Sequence, residues 1–249
     1  MNEEIRRFEE LACNSHPALQ TLLYDGWVLR FAEGYTGRAN SVSLLYPSAL
    51  PYAEKIAFCE AQYFSKGLPC RFKLTSGADP ALDALLAARG YEYVTPTDEM
   101  TASIAGFVWP ESAAAFSAQP DKAWLDAFAR MEKLDEKKKA TAEKLFSVNV
   151  NSIFFARMEE DGEIIACATA VLEDGYAAIA DVVVDEAYRG RGYGQTLCRA
   201  LLAKAAAEGA HTACLCVVQK NPAARHIYEK LGFRKIYSYW YRVKTQKAL

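Results

Sequence analysis

The chain has 249 residues, 51% of them apolar, with acids and bases interspersed and a formal net charge of −2. That length holds one large domain or two ordinary ones with a sizeable core, and the charge leaves no basic field for nucleic acid or an anionic membrane. Seven cysteines form an odd set without a Cys-x-x-Cys pair, and His16, His211 and His226 are scattered, so neither a disulfide framework nor a metal or histidine-triad site is expected.

The start, Met1 to Glu10, is charged where a secretory signal needs an apolar core, and no later apolar run approaches membrane-spanning length, which places the protein in the cytoplasm. Asp25 to Ser41 packs Trp27, Arg30, Tyr35, Thr36, Arg38 and Asn40 into a strand, a turn and another strand. Arg38 and Asn40 either face a neighbouring substrate groove or satisfy the turn's own backbone, and the second is the expected role. Asp79-Pro80-Ala81 opens a short helix that Gly90 stops. From Gly106 to Pro120, Trp109-Pro110 and Ala118-Gln119-Pro120 break any regular pattern and set a boundary between domains 1–105 and 106–249. Asp121 to Leu134 and Asp135 to Ser147 carry apolar residues at helical spacing, and Lys137-Lys138-Lys139 reads as a solvated face.

The carboxyl-terminal half has the order of an α/β layer. Ile153 to Met158, Ile164 to Leu172 and Tyr176 to Val184 read as strands of a meander, separated by Glu160-Asp161-Gly162 and Glu173-Asp174-Gly175. A helix follows from Gly192 to about Glu208, then a buried strand from Thr212 to Val218. Asn221 and Pro222 start another helix, and Gly232 stops it before the aromatic strand Phe233 to Val243. Cys167, Cys198, Cys214 and Cys216 sit inside apolar patterns and read as buried free thiols, with Cys214 and Cys216 on one strand face.

Between strand and helix stands Arg189-Gly190-Arg191-Gly192-Tyr193-Gly194. Backbone N–H groups of such a loop and of the first helical turn have no intrahelical partner, and the helix dipole adds partial positive charge, so an anion is held there. Gly190, Gly192 and Gly194 let the backbone approach a pyrophosphate and adopt positive φ, and Arg189 and Arg191 add charged donors. A dinucleotide fingerprint needs glycine where Gln195 stands, and a Walker loop needs Gly-Lys-Ser/Thr at its end. The remaining pattern, Arg-x-x-Gly-x-Gly, resembles the acyl-CoA pyrophosphate loop of the GNAT superfamily of N-acetyltransferases.

The amino-terminal half repeats part of this layout. Gly67 and Gly209, Pro80 and Pro222, Ala81 and Ala223, Gly90 and Gly232, Val42 and Val184, and Tyr46 and Tyr188 are all separated by 142 positions. The same offset sets Pro47-Ser48-Ala49-Leu50-Pro51-Tyr52 against the glycine hexad, Asp79 against Asn221 and Leu86 against Tyr228. Two prolines there remove backbone donors, so no pyrophosphate site is expected in the first half. The expected fold is α/β with a central mixed sheet flanked by helices, as two GNAT-like folds in tandem, the first degenerate. Asp25 to Ser41 also resembles a stretch of bacterial tandem-GNAT proteins.

The resemblance implies an acetyl-CoA-dependent N-acetyltransferase acting on a small-molecule or peptide amine by direct transfer, without metal, nucleic acid or membrane; it is compatible with a homodimer. The helices before the second strand would border the acceptor site. Arg189 to Gly194 with Gln195 and Thr196 would hold the pyrophosphate, and the backbone of Val182, Val183 and Val184 the pantetheine, on a strand that splays from its neighbour. The Val182 N–H would also serve as oxyanion donor. Asn221, Ala224 and Tyr228 match the helix in which the asparagine contacts the cofactor and the tyrosine protonates the leaving thiolate; a phenol, ordinarily near pKa ~10, suits that task. Ala178 and Ala180 stand where several GNAT enzymes carry a glutamate or histidine base. Asp181 is a further catalytic candidate, facing away from those alanines by strand alternation, and a water chain or an already neutral amine is the alternative. Tyr237 to Tyr241 either line the acceptor pocket or are strand formers. A non-catalytic acyl-CoA sensor and a nucleotide-triphosphate enzyme are the other function classes this pattern admits.

Overall fold

The computed structural model describes residues 2–109 and 114–246. Pro110 of the expected junction therefore lies outside the described residues. The chain forms two compact units, one of Met1–Asp98 with Tyr237–Leu249 and one of Glu99–Ile236. This division differs from the sequence-based boundary at 105/106, because the last strand returns to the first unit.

In the first unit, helix α1 (Glu3–Ser15) starts where the Asn2 side chain accepts from the Ile5 N–H at 2.8 Å. Strands β1 (Gln20–Tyr24) and β2 (Trp27–Phe31) form a hairpin across Asp25-Gly26, whose φ of 41° and 78° suit a two-residue primed turn. Strand β3 (Val42–Leu44), helix α2 (Tyr52–Phe64), strand β4 (Cys70–Thr75) and helix α3 (Pro80–Ala88) follow. Strand β5 (Glu92–Ser103) then leaves the first unit for the second between Asp98 and Glu99. Trp27, Leu29, Phe31, Ile56, Tyr63, Phe72, Leu74, Leu82 and Leu86 form this unit's core.

The second unit begins with the end of β5 and the short strand β6 (Ala115–Ser117). Helices α4 (Lys122–Met131) and α5 (Glu136–Ser147) are both capped by aspartate, Asp121 on the Trp124 N–H and Asp135 on the Lys138 N–H. Strands β7 (Ser152–Glu160), β8 (Glu163–Glu173) and β9 (Tyr176–Val184) form the expected meander, with Asp161-Gly162 and Asp174-Gly175 turns at positive φ. Helix α6 (Tyr193–Ala207), strand β10 (Thr212–Val218), helix α7 (Pro222–Lys230) and strand β11 (Arg234–Lys244) complete the order. Within the unit the strands lie β10-β9-β8-β7-β6, β9 and β10 parallel and the rest antiparallel. One sheet face carries alanines of β8 and β9 beneath α6; the other buries Trp124, Phe128 and Phe155 beside Cys167 and Val183.

Beyond Ile236, β11 pairs antiparallel with β4 from Tyr239↔Thr75 to Lys244↔Cys70, so the first unit's sheet runs β1-β2-β3-β4-β11. Tyr237, Tyr239 and Tyr241 are buried in the first unit, where Tyr237 donates to Glu9 at 2.7 Å. These tyrosines serve as strand formers of a core.

The 142-residue offset holds for β4 and β10, for α3 and α7, and for the starts of β5 and β11. It fails one strand earlier. Val42 pairs with Phe72 and Ala178 with Cys214, so Ala178 lies 136 positions after Val42 while Cys214 lies 142 after Phe72. The identity of Val42 with Val184 is thus not a structural equivalence.

Candidate active site

Strands β9 and β10 pair only from Tyr176↔Thr212 to Ala178↔Cys214, although both continue well beyond. The strands therefore separate, leaving their later backbone groups unbonded to one another, and the glycine hexad follows the end of β9. Gly190 and Gly192 have φ of 78° and 87°, the left-handed region that glycine enters at no steric cost. Gly192 is the N-cap of α6 without a side-chain cap. Gly194 is not at positive φ; a Cβ there would meet Val184 Cγ2 at 3.5 Å and Ile227 Cδ1 at 3.6 Å, ordinary contacts. The expectation of three left-handed glycines is thus corrected to two.

Among the described residues, no group accepts from the backbone N–H of any residue from Gly190 to Gln195; the first to be satisfied is Thr196, which donates to the Gly192 carbonyl at 3.0 Å. Six consecutive free donors at a helix start carry partial positive charge suited to a diphosphate. The arginines brace this loop from within. Arg189 Nε donates to the Val184 carbonyl at 3.1 Å, and Arg191 donates to that of Ala187 at 3.1 Å while lying over the Tyr188 ring. Tyr193 donates its hydroxyl to Glu160. Lys133, just after α4, meets Glu186 at 2.6 Å, and Arg130 of α4 pairs with Asp185, fixing the segment before the hexad.

β9 is bulged against β8. Thr169 faces Ala180 and Cys167 faces Val183, so two residues of β8 span three of β9. Asp181 takes the extra place at φ 55°. Its carboxylate accepts from the Thr169 hydroxyl at 2.8 Å, so it lies on the face of Thr169 and of Ala180. The expectation that Asp181 faces away from the alanines is therefore wrong: alternation fails at the bulge. Val183 is buried beneath Trp124, while Val182 and Val184 pack on the α6 side, so the Val182–Val184 side chains are core and only their backbone borders the opening.

Asn221 caps α7, accepting from the Ala224 N–H at 3.1 Å. Tyr228, 8% exposed, packs edge-on against Phe233 at 5.9 Å. Its hydroxyl donates to no group among the described residues, and burial raises its pKa, with the Cys198 and Cys216 thiols adding to the shift. The hydroxyl therefore keeps its proton at neutral pH.

A carboxylate that sequence reasoning missed completes this region. Glu99 on β5 is 2% exposed and accepts from Cys216 Sγ at 2.8 Å. The signal in the sequence was the polar run Thr97-Asp98-Glu99, all three buried inside a strand. No group of three or more metal-ligating side chains is present among the described residues, and all seven cysteines are free.

The first unit treats the matching loop differently. Asp25 accepts from the N–H of Ala49 and Leu50 and from the Ser48 hydroxyl, the Leu50 bond at 2.8 Å, and its carboxylate lies 3.0 Å from the buried Lys55 ammonium. These backbone bonds first, then Lys55 and Ser48, hold the Asp25 carboxyl well below the usual carboxylate range. A side-chain anion thus occupies the donors ahead of α2. Asn40 of the Asp25–Ser41 stretch satisfies local backbone: its Oδ1 accepts from Ala32 and Gly34, and its Nδ2 donates to Ala32 and Thr36.

Residues 2–242 match the family model described as "Probable histone acetyltransferase Rv0428c C-terminal". The chain is 32% identical over 248 residues to the uncharacterized N-acetyltransferase YobR of Bacillus subtilis strain 168, covering 97% of this chain and 99% of that protein. A GCN5-related N-acetyltransferase from Kribbella flavida shares the fold at a TM-score of 0.68 and 15% identity, covering 98% of this chain and 95% of its own. A tandem GNAT protein from the clavulanic acid biosynthesis pathway does so at a TM-score of 0.64 and 13% identity, covering 97% and 88%. No helix among the described residues is long and apolar enough to cross a membrane. The fold, with its loop, bulge and opened strand pair, and these relatives agree: the chain belongs to the Rv0428c C-terminal family of GNAT N-acetyltransferases and is an acyltransferase of that type.

Proposed function

We propose that the chain transfers an acetyl group from acetyl-CoA to a primary amine of a small-molecule or peptide acceptor, by direct attack and within the Glu99–Ile236 unit. The observation that carries this reading is the row of six unpaired N–H groups from Gly190 to Gln195 at the end of a strand that has parted from its neighbour, in the unit that also holds an unbonded phenol, Tyr228. Those amides and the Thr196 turn would bind the diphosphate, and the backbone of Val182 to Val184 the pantetheine. The side-chain amide nitrogen of Asn221, whose oxygen is committed to the cap, remains for a further contact. The oxyanion donor would be the N–H of Val182, which the bulge displaces from the regular ladder. Tyr228 would protonate the leaving thiolate, and Asp181 would hold the acceptor's ammonium from β9.

The first half is read as a degenerate GNAT-like fold in tandem with the catalytic one, its anion site filled by Asp25. Seven free thiols fit a reducing cytoplasm. The test is acetyl-CoA turnover against a panel of amines, read by released thiol, with calorimetric titration of CoA. Thiol release that depends on an amine supports the proposal. CoA binding without turnover, unaffected by Tyr228→Phe, would support the non-catalytic sensor instead.

A further inference from the structure

Ala178 and Ala180 offer no base on the β9 face they share, and the Asp181 carboxylate of that face is already bonded to the Thr169 hydroxyl. Continuing the pairing of Ala178 with Cys214 by two residues puts Cys216 level with Ala180, across the gap and on the same sheet face. The thiol at that place is fixed on the Glu99 carboxylate at 2.8 Å. Glu99 is thus held from β5 against the Cys216 thiol, almost fully buried. From β9, Asp181 presents a second carboxylate on the same face, bonded to Thr169. Titratable groups near Glu99 include Cys214 and Cys216 of β10, with Tyr228 of α7 close enough to Cys216, and Glu173 of β8 close enough to Cys214, for their charges to interact.

We infer that Glu99 is the general base for the acceptor amine, supplied from a neighbouring strand while Asp181 of β9 stays bonded to Thr169, and that the acceptor enters as a cationic ammonium. The inference rests on the acetyl-transfer reading above. Two carboxylates on one face favour the charged amine, so an acceptor arriving already neutral is disfavoured and a proton must be taken. Glu99 takes one proton from the ammonium, and the freed lone pair forms the C–N bond at the thioester carbonyl. The C–S bond breaks with its electron pair on sulfur. Tyr228 gives that sulfur its hydroxyl proton and regains one from the nitrogen, while the proton on Glu99 leaves to solvent. Ammonium and thioester become amide, thiol and one released proton.

The test uses the full chain. Glu99→Gln is expected to lower kcat/KM on the order of 100-fold and to abolish the acidic limb of its pH profile. CoA affinity by calorimetry should stay as in the wild type, and Glu99→Asp should keep an acidic limb. Activity of Glu99→Gln within about threefold of the wild type, or an acidic limb surviving in its residual activity, overturns the assignment. Should Glu99→Gln not fold, Cys216→Ala replaces it: this change frees the carboxylate from its thiol, and a displaced acidic limb supports the role while an unmoved one overturns it. A wild type that binds CoA and acetylates no amine overturns the acetyl-transfer reading first, and the role of Glu99 with it.

Discussion

A phenol surrounded by apolar side chains loses its proton with difficulty, and that is the condition of Tyr228 between Phe233 and the Cys198 and Cys216 thiols. A donor of this kind acts only when a stronger base, such as a departing thiolate, forms beside it. Tyr228→Phe keeps the packing and removes the proton. It is expected to lower kcat on the order of a hundredfold and leave the Kd for CoA unchanged, as single-turnover kinetics and calorimetry would register. Asp25 is the residue-scale counterpart in the first unit. Its carboxyl ionises at lower pH in the folded chain than in the unfolded one, so its contribution to stability is complete above about pH 5 and is lost as pH falls below the ordinary carboxylate range near ~3.9. The melting temperature of Asp25→Asn measured against pH should therefore lie below that of the wild type at neutral pH and converge with it in acid. Parallel curves at all pH values would show that the carboxylate's charge is not what the loop needs.

At the scale of elements, the loop before α6 depends on backbone conformation more than on side chains. Gly192→Ala places a Cβ on a residue at φ 87°, which costs about 1–2 kcal/mol and turns the N–H row out of line. Weaker CoA binding with little change in kcat is the expected result, read by calorimetry and saturation kinetics. Gly194→Ala introduces only contacts at 3.5 and 3.6 Å and should bind CoA as the wild type does. The two glycines look alike in the motif; the φ angle separates them. The bulge in β9 is the other element-scale device, since one extra residue places Ala180 and Asp181 on the same face and shifts the Val182 backbone out of the ladder.

At the scale of the molecule, the first unit is completed by chain from the far end of the sequence, while the second is one continuous stretch. The first unit's β4 has β11 along its edge from Thr75 to Cys70. A fragment of residues 1–105 would leave that edge open, and it is expected to aggregate or stay partly unfolded by circular dichroism and light scattering while the whole chain does not. The same unit buries an ion pair, Lys73 with Glu9 at 2.6 Å, at 6% and 2% exposure. Removing only Glu9, as in Glu9→Ala, strands the ammonium and should cost about 3–5 kcal/mol by denaturant unfolding; pairing Glu9→Met with Lys73→Met should recover most of it.

Local rules carried much of this fold into the sequence. Asp-Gly pairs set the β7–β8 and β8–β9 turns, aspartate and asparagine caps set five helix starts, and 3.6- and 2-residue periods set the elements between them. The glycine hexad was legible for the same reason, because backbone freedom and an uncapped helix start are properties of a short segment. What tertiary structure decided is whatever depends on residues distant in the chain. The bulge that turns Asp181 around is a mismatch between two strands, Asp25 fills a loop more than twenty positions later, and Glu99 meets Cys216 across 117. Strand register and side-chain partners at such separations are fixed by packing the assembled core, so no window of sequence contains them; the sequence alone determined which segments form and where an anion can sit, and the fold chose which charges come to face it.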